Sequence, residues 1–260
     1  RLYPGRNARI LSPLDDLSAD SASLIGSTIG NVETSGWTYP IRRYIHIGPQ
    51  GGDVPIRLGI FAGIHGDEPA PSFAVRRFID LLESHPDAAR GFCLFLYPIC
   101  NPTGFDDGTR HSRRGRDLNR EFWRGSREPE VVALERELET QEFDGIIALH
   151  SDDTSEGLYG FASGATLTEA LLRPALREAS KVLPLNHGPR IDGFTAYDSV
   201  IRDGYEGILS APPNRRLRPF EIILETPQAA PEFAQEVSLM IALDVILREY
   251  RKLRAYAPNL

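Results

Sequence analysis

Ile56-Arg-Leu-Gly-Ile-Phe-Ala-Gly-Ile64 runs straight into His65-Gly-Asp-Glu68. The first part is a largely apolar run of strand length, as expected for a strand covered on both faces in a parallel sheet. The second part puts two polar, metal-competent side chains at its end. Apolar runs of the same kind recur at Phe92–Ile99 (FCLFLYPI), Phe143–Leu149 (FDGIIAL) and Phe220–Glu225 (FEIILE). Between them the spacing predicts helices over Pro69–Ser84, Pro129–Leu138, Thr166–Leu183 (which contains Pro174) and Pro231–Leu253. Arg42–Ile47 alternates like a strand, Pro49–Asp53 reads as a turn, and Asp15–Ala22 as the capped start of a short helix. Asn101–Arg116 reads as loop. Strands alternating with helices predict an α/β fold. The expected form is a single domain over 1–260 with a mixed, mostly parallel sheet and helices on both faces. Residues 1–40 are its least defined lead-in.

Composition sets bounds on function. The chain has 260 residues, 41% hydrophobic and 25% charged, the balance of a globular protein. A formal net charge of −7 argues against a nucleic-acid backbone as partner. No apolar run approaches the roughly 20 residues needed to span a bilayer. The cytoplasm is the expected location. Export stays open, because the chain begins at Arg1 without Met. Cys93 and Cys100 share one apolar stretch and cannot easily be bridged, so both are expected as buried thiols. Any metal site must then use His and carboxylate ligands.

In sheets of this kind, sites form at the carboxyl ends of strands. His65 and Glu68 follow one apolar strand and His150 follows another. Two imidazoles and one carboxylate leave the fourth position of a tetrahedral zinc open for water. One Zn2+ on His65, Glu68 and His150 is therefore expected. Glu225, at the end of the fourth apolar strand, is the expected base for that water. Glu221, on the same side of that strand, competes with it, and position favours Glu225. Asn119 and Arg120 offer an amide and a guanidinium fork to a substrate carboxylate. Asp117 is placed to accept from the far ring nitrogen of a ligating His.

His65-x-x-Glu68, Asn101-Pro102 to Gly104, Thr109-Arg110, Asp117-Leu118-Asn119-Arg120, His150-Ser151 and Glu225-Thr226-Pro227 occur in an order that resembles the zinc carboxypeptidase superfamily. They also resemble its aspartoacylase and succinylglutamate desuccinylase relatives. The match runs from about residue 57 to 227. The resemblance implies a sheet of about eight strands. It implies a peptide or N-acyl amino acid substrate, hydrolysed at an amide next to a free carboxylate. It gives Arg110 the oxyanion, with Arg113 and Arg114 as neighbours of the same chemistry. Where many carboxypeptidases carry a mobile Tyr, the best-matching stretch puts Phe194, with Tyr197 and Tyr205 nearby.

Three readings compete with a carboxypeptidase. One is an N-acyl amino acid deacylase, whose relatives generally add a C-terminal β-rich domain. Here the stretch after Glu225 is short and reads as helix, which favours the peptidase. A second is an amidase for cell-wall peptides. A third is a ligand-binding scaffold without catalysis, which the complete set of site residues argues against. His46, His85, His111 and His187 are expected to be structural or surface residues.

Overall fold

A computed structural model of the chain describes residues 3, 5–34, 36–52, 54–163 and 167–256. Arg1, the last residue of the expected 49–53 turn and the first of the expected helix 166–183 lie outside the described residues.

The four apolar runs become the centre of the sheet: β3 (Ile56–Phe61), β4 (Phe92–Tyr97), β5 (Gly145–Asp152) and β10 (Phe220–Pro227). They lie side by side in the order β4-β3-β5-β10, all parallel. Helices connect them: α2 (Pro69–Ser84) between β3 and β4, and α4 (Pro129–Thr140) before β5. The flanks are where the sheet departs from expectation. On one side, β1 (Leu24–Thr34) and β2 (Trp37–Ile47) add an antiparallel hairpin against β4. On the other, β6 (Tyr159–Ala162) is antiparallel to β10, followed by the short strands β9 (Val200–Ile201), β8 (Phe194–Tyr197) and β7 (Arg190–Ile191). Among the described residues ten strands thus stand where about eight were expected, and the parallel pairs concentrate in the middle.

The sheet has two covered faces. Leu58 and Ile60 of β3, Ile147 and Leu149 of β5 and Ile222 and Leu224 of β10 join one core. Over it lie α1 (Ala8–Asp20), α2, the short α5 (Arg173–Ala179) and α6 (Glu232–Tyr256). On the other face, Phe61, Phe95 and Ile146 meet Val131, Leu134 and Leu138 of α4. Full burial of each Leu- or Phe-sized side chain stabilises the fold by roughly 1.5–3 kcal/mol.

Three local differences have physical reasons. The stretch Asp15–Ala22 ends a helix and does not begin one: α1 starts at Ala8, because Ile10, Leu11 and Leu14 supply its buried stripe. Asp15 is fixed by partners from β2, accepting from the Tyr44 hydroxyl at 2.7 Å and pairing with Arg42 at 2.5 Å. The loop expected over 101–116 contains one helix, α3 (Pro102–Asp107), capped by Asn101 Oδ1 on the Gly104 amide at 2.9 Å. The helix expected over 166–183 begins as a π-turn at Thr168–Leu172 and becomes α5 just before Pro174. Pro174 has no N–H with which to close an α-turn on the residue four earlier. Cys100 is buried, Cys93 is half-buried, and both are free. Among the described residues no helix is long and apolar enough to cross a membrane.

Candidate metal centre

The site lies at the carboxyl ends of β3, β5 and β10, on the face away from α2 and α6. Residues of like parity share one face of a strand. His150 and Asp152 on β5, Ile223 and Glu225 on β10, and Tyr159 and Phe161 on β6 all line a single cavity of about 330 Å³. Register does the rest. His150 is the direct partner of Glu225 across the β5–β10 pair, and Tyr159 is the partner of Glu225 across β6–β10.

His65 reaches the same place from beyond β3. The chain leaves the sheet after Phe61, with Gly63 at φ +63, and turns through His65-Gly-Asp-Glu68 into α2. Gly66 is needed for close approach and has no left-handed φ. A Cβ there would stand 1.9 Å from the Gly104 carbonyl carbon and 2.2 Å from the Phe105 nitrogen. The side-chain amide of Asn101 donates to Ile64 O at 3.2 Å, so α3 and its cap buttress the turn from behind. Gly66→Ala is expected to destabilise the fold by about 3 kcal/mol, the upper part of the usual overpacking range, because the clash is with backbone. A urea midpoint unchanged from the parent would contradict this packing.

His65, Glu68 and His150 are each only 4% exposed. One ligand atom from each lies within 4.8 Å of the others. Both Nδ1 atoms face the same carboxylate: His65 Nδ1 is 2.5 Å from Glu68 Oε1, and His150 Nδ1 is 3.1 Å from Oε2. Ser151 N also donates to Oε2 at 3.0 Å. Burial opposes ionisation of Glu68, but the two imidazoles outweigh it and hold the carboxyl well below its ordinary range. Burial lowers His150. Burial also pulls on His65, yet Glu68 and Asp117 win and raise it. Two buried imidazoles and a buried carboxylate, gathered with a cavity on one side, are the donor set of an open zinc site. The residues fit the ion.

Around this cluster the other expected residues separate. Asp117 Oδ1 lies 3.3 Å from His65 Nε2, the nitrogen turned away from Glu68. Asp117 also accepts from the Asn119 backbone N–H at 3.0 Å and pairs with Arg110 at 3.2 Å. Despite burial, its contacts with His65, Arg110 and Arg120 hold it below the usual carboxylate range. Arg110 lines the cavity, with Nη1 3.6 Å from Glu68 Oε1. Arg113 is committed elsewhere, to Asp107 and, at 2.7 Å, to the Tyr39 hydroxyl. Arg114 and His111 are exposed and outside the cavity lining. Asn119 and Arg120 both line the cavity; Asn119 Oδ1 accepts from Leu209 N at 2.9 Å.

Glu225 is half-buried and makes no ion pair among the described residues. Burial, then the charges of Glu68, Asp152 and Asp192, raise its pKa well above the ordinary value. Its competitor Glu221 accepts from Ala211 N at 2.6 Å and lies outside this cavity.

Sequence reasoning missed several lining residues. Asp152 shares parity with His150, a signal that was available. Gln228 fastens the metal turn to β10 by donating to Asp67 O at 2.7 Å. Ser151, Thr226 and Gln235 form a buried triangle with 2.9 Å sides behind the site, tying β5 and β10 to α6. Asp192 and Tyr205 come from the β7–β9 region, and nothing local marks them. Phe194 itself is packed edge-on against Phe161 and Tyr205 and does not line the cavity.

Residues 56–183, just under half of the chain, match the family described as the succinylglutamate desuccinylase/aspartoacylase catalytic domain. No curated protein matches the sequence. Among solved structures, a candidate metallopeptidase from Shewanella baltica is 21% identical, with a TM-score of 0.74 over 91% of this chain and 90% of that one. A metallo-carboxypeptidase from Burkholderia cenocepacia is 19% identical, with a TM-score of 0.67 over 94% and 69%. A Pseudomonas aeruginosa metallo-carboxypeptidase bound to (2-guanidinoethylmercapto)succinic acid is 19% identical, with a TM-score of 0.64 over 97% and 70%. At these identities the likeness is one of fold. The solved structures show the fold, and the family model marks a segment within it that is similar to the desuccinylase/aspartoacylase catalytic domain.

Proposed function

From a chain with the zinc carboxypeptidase fold and a desuccinylase/aspartoacylase segment, we propose a single-domain zinc hydrolase that cleaves an amide bond next to a free carboxylate. One observation carries the reading. His65, Glu68 and His150 converge within 4.8 Å, and Glu225 stands one rung across from His150.

His65, Glu68 and His150 would hold a zinc ion, which would supply Lewis acidity and make a water acidic enough to lose a proton near neutral pH. Glu225 takes the proton of the attacking water and returns it to the leaving nitrogen. Arg110 donates to the oxygen on which negative charge develops. Asn119 and Arg120 hold the substrate carboxylate and fix which amide is presented. Asp117 fixes the ring of His65 and restrains Arg110.

The family match favours a second reading, removal of an acyl group from an N-acyl amino acid. The same residues serve it. Turnover should vanish on chelation and return with stoichiometric zinc, measured on a panel of blocked dipeptides beside N-acyl amino acids. Activity confined to N-acyl amino acids selects the deacylase. Turnover that survives complete chelation rejects both readings.

A further inference from the structure

The cavity carries charge that the proposed chemistry does not use. Arg110 and Arg120 suit a carboxylate, but Asp152, Asp153 and Asp192 face the same space. Among the described residues none of these three forms an ion pair. Asp192 is the best placed of them. Ile191 pairs with Phe194, leaving Asp192-Gly193 as the loop of a hairpin, with φ of 49 and 80. Positive φ at both loop residues is a type I′ turn, which Asn-Gly serves as well as Asp-Gly. The backbone therefore accounts for a small polar residue at 192 and not for its charge.

The charge is held in position. Tyr205 donates its hydroxyl to Asp192 Oδ1 at 2.9 Å, and its ring lies under the Arg120 guanidinium at 4.2 Å. This joins Asp192 to the residue expected to hold the substrate carboxylate. Asp152 is fixed too, accepting from the Tyr159 hydroxyl at 2.8 Å and from Thr154 N at 2.7 Å. A cavity lined both by arginines and by carboxylates that make no ion pair complements a ligand that carries both signs.

We propose that Asp192, with Asp152 beside it, selects substrates whose carboxylate-bearing residue also carries a cation, an ammonium or guanidinium group. This rests on the hydrolase reading above. The same wall repels a residue with a second carboxylate, such as an acyl-glutamate.

The test uses the zinc-loaded full chain and blocked dipeptides ending in lysine, norleucine or glutamate. Binding of Nα-acetyl-lysine and Nα-acetyl-norleucine is followed by calorimetry. Lysine is expected to exceed norleucine by on the order of 30-fold in kcat/KM, mostly through KM, with glutamate lowest. Asp192→Asn keeps the turn chemistry, and the lysine-to-norleucine ratio should fall toward one. Tyr205→Phe frees the carboxylate and should lower the ratio in the same direction by less. Turnover with no lysine preference, or a preference that Asp192→Asn leaves intact, overturns the inference. Lysine-selective binding that Asp192→Asn abolishes, without turnover of any substrate, upholds the inference and overturns the hydrolase reading.

Discussion

Glu225→Gln should lower kcat by on the order of 10⁴, the upper range for a general base, while zinc content stays at one per chain. Gln keeps the shape of the side chain and cannot take a proton. Its place on β10 is fixed by the sheet, one rung from His150, so the substitution moves nothing. Stability should shift the opposite way. Glu225 is raised well above its ordinary pKa by burial and by Glu68, Asp152 and Asp192. In the metal-free protein the folded state keeps that proton at a pH where the unfolded chain has released it. Stability therefore falls as pH rises from the ordinary carboxylate range to the raised value. The Gln variant lacks that decline, and its metal-free form should melt higher than the parent at neutral pH. Atomic absorption, steady-state kinetics and a thermal scan at two pH values check all three outcomes. A variant retaining a tenth of parental turnover would remove Glu225 from its role.

His150→Ala should abolish metal binding and turnover together. Changes in the residues behind a ligand already cost 10–100-fold in metal affinity, and loss of a ligand itself should cost more than about 100-fold. The variant also strips Glu68 of one imidazole 3.1 Å away, leaving Ser151 N, His65 and Arg110 as its partners. Titration with zinc against a competing chelator reads the affinity. A variant that binds zinc as tightly as the parent would place the ion elsewhere.

The parts legible from sequence were those written locally. Four apolar runs of strand length mark β3, β4, β5 and β10 without any knowledge of pairing. His65, Glu68 and His150 are legible because each sits where such a run stops. Of the flanking strands only β2 is legible, through the alternation of Arg42–Ile47. β1 reads LIGSTIGNVET, with glycines and small polar residues at the sheet edge, and β6 to β9 are too short for periodicity to register. Chemistry alone could not choose among Arg110, Arg113 and Arg114. The choice is made by Asp107 and Tyr39, which engage Arg113, and by Asp117, which turns Arg110 inward. Parity could not part Glu221 from Glu225, and the Ala211 amide does. Asp192 and Tyr205 enter the cavity only through tertiary packing around Arg120.

The rung that joins His150 to Glu225 also makes the site a product of distant strand pairings. Docking β3 on β5 brings Leu58 to Gly145, and docking β10 on β5 brings Phe220 to Gly145, so each closes a long stretch of chain. Such pairings form slowly, because loop closure precedes its reward. No short stretch of the chain holds His65, His150 and Glu225 together, so zinc uptake and recovery of turnover should both lag behind helix formation in a stopped-flow refolding trace.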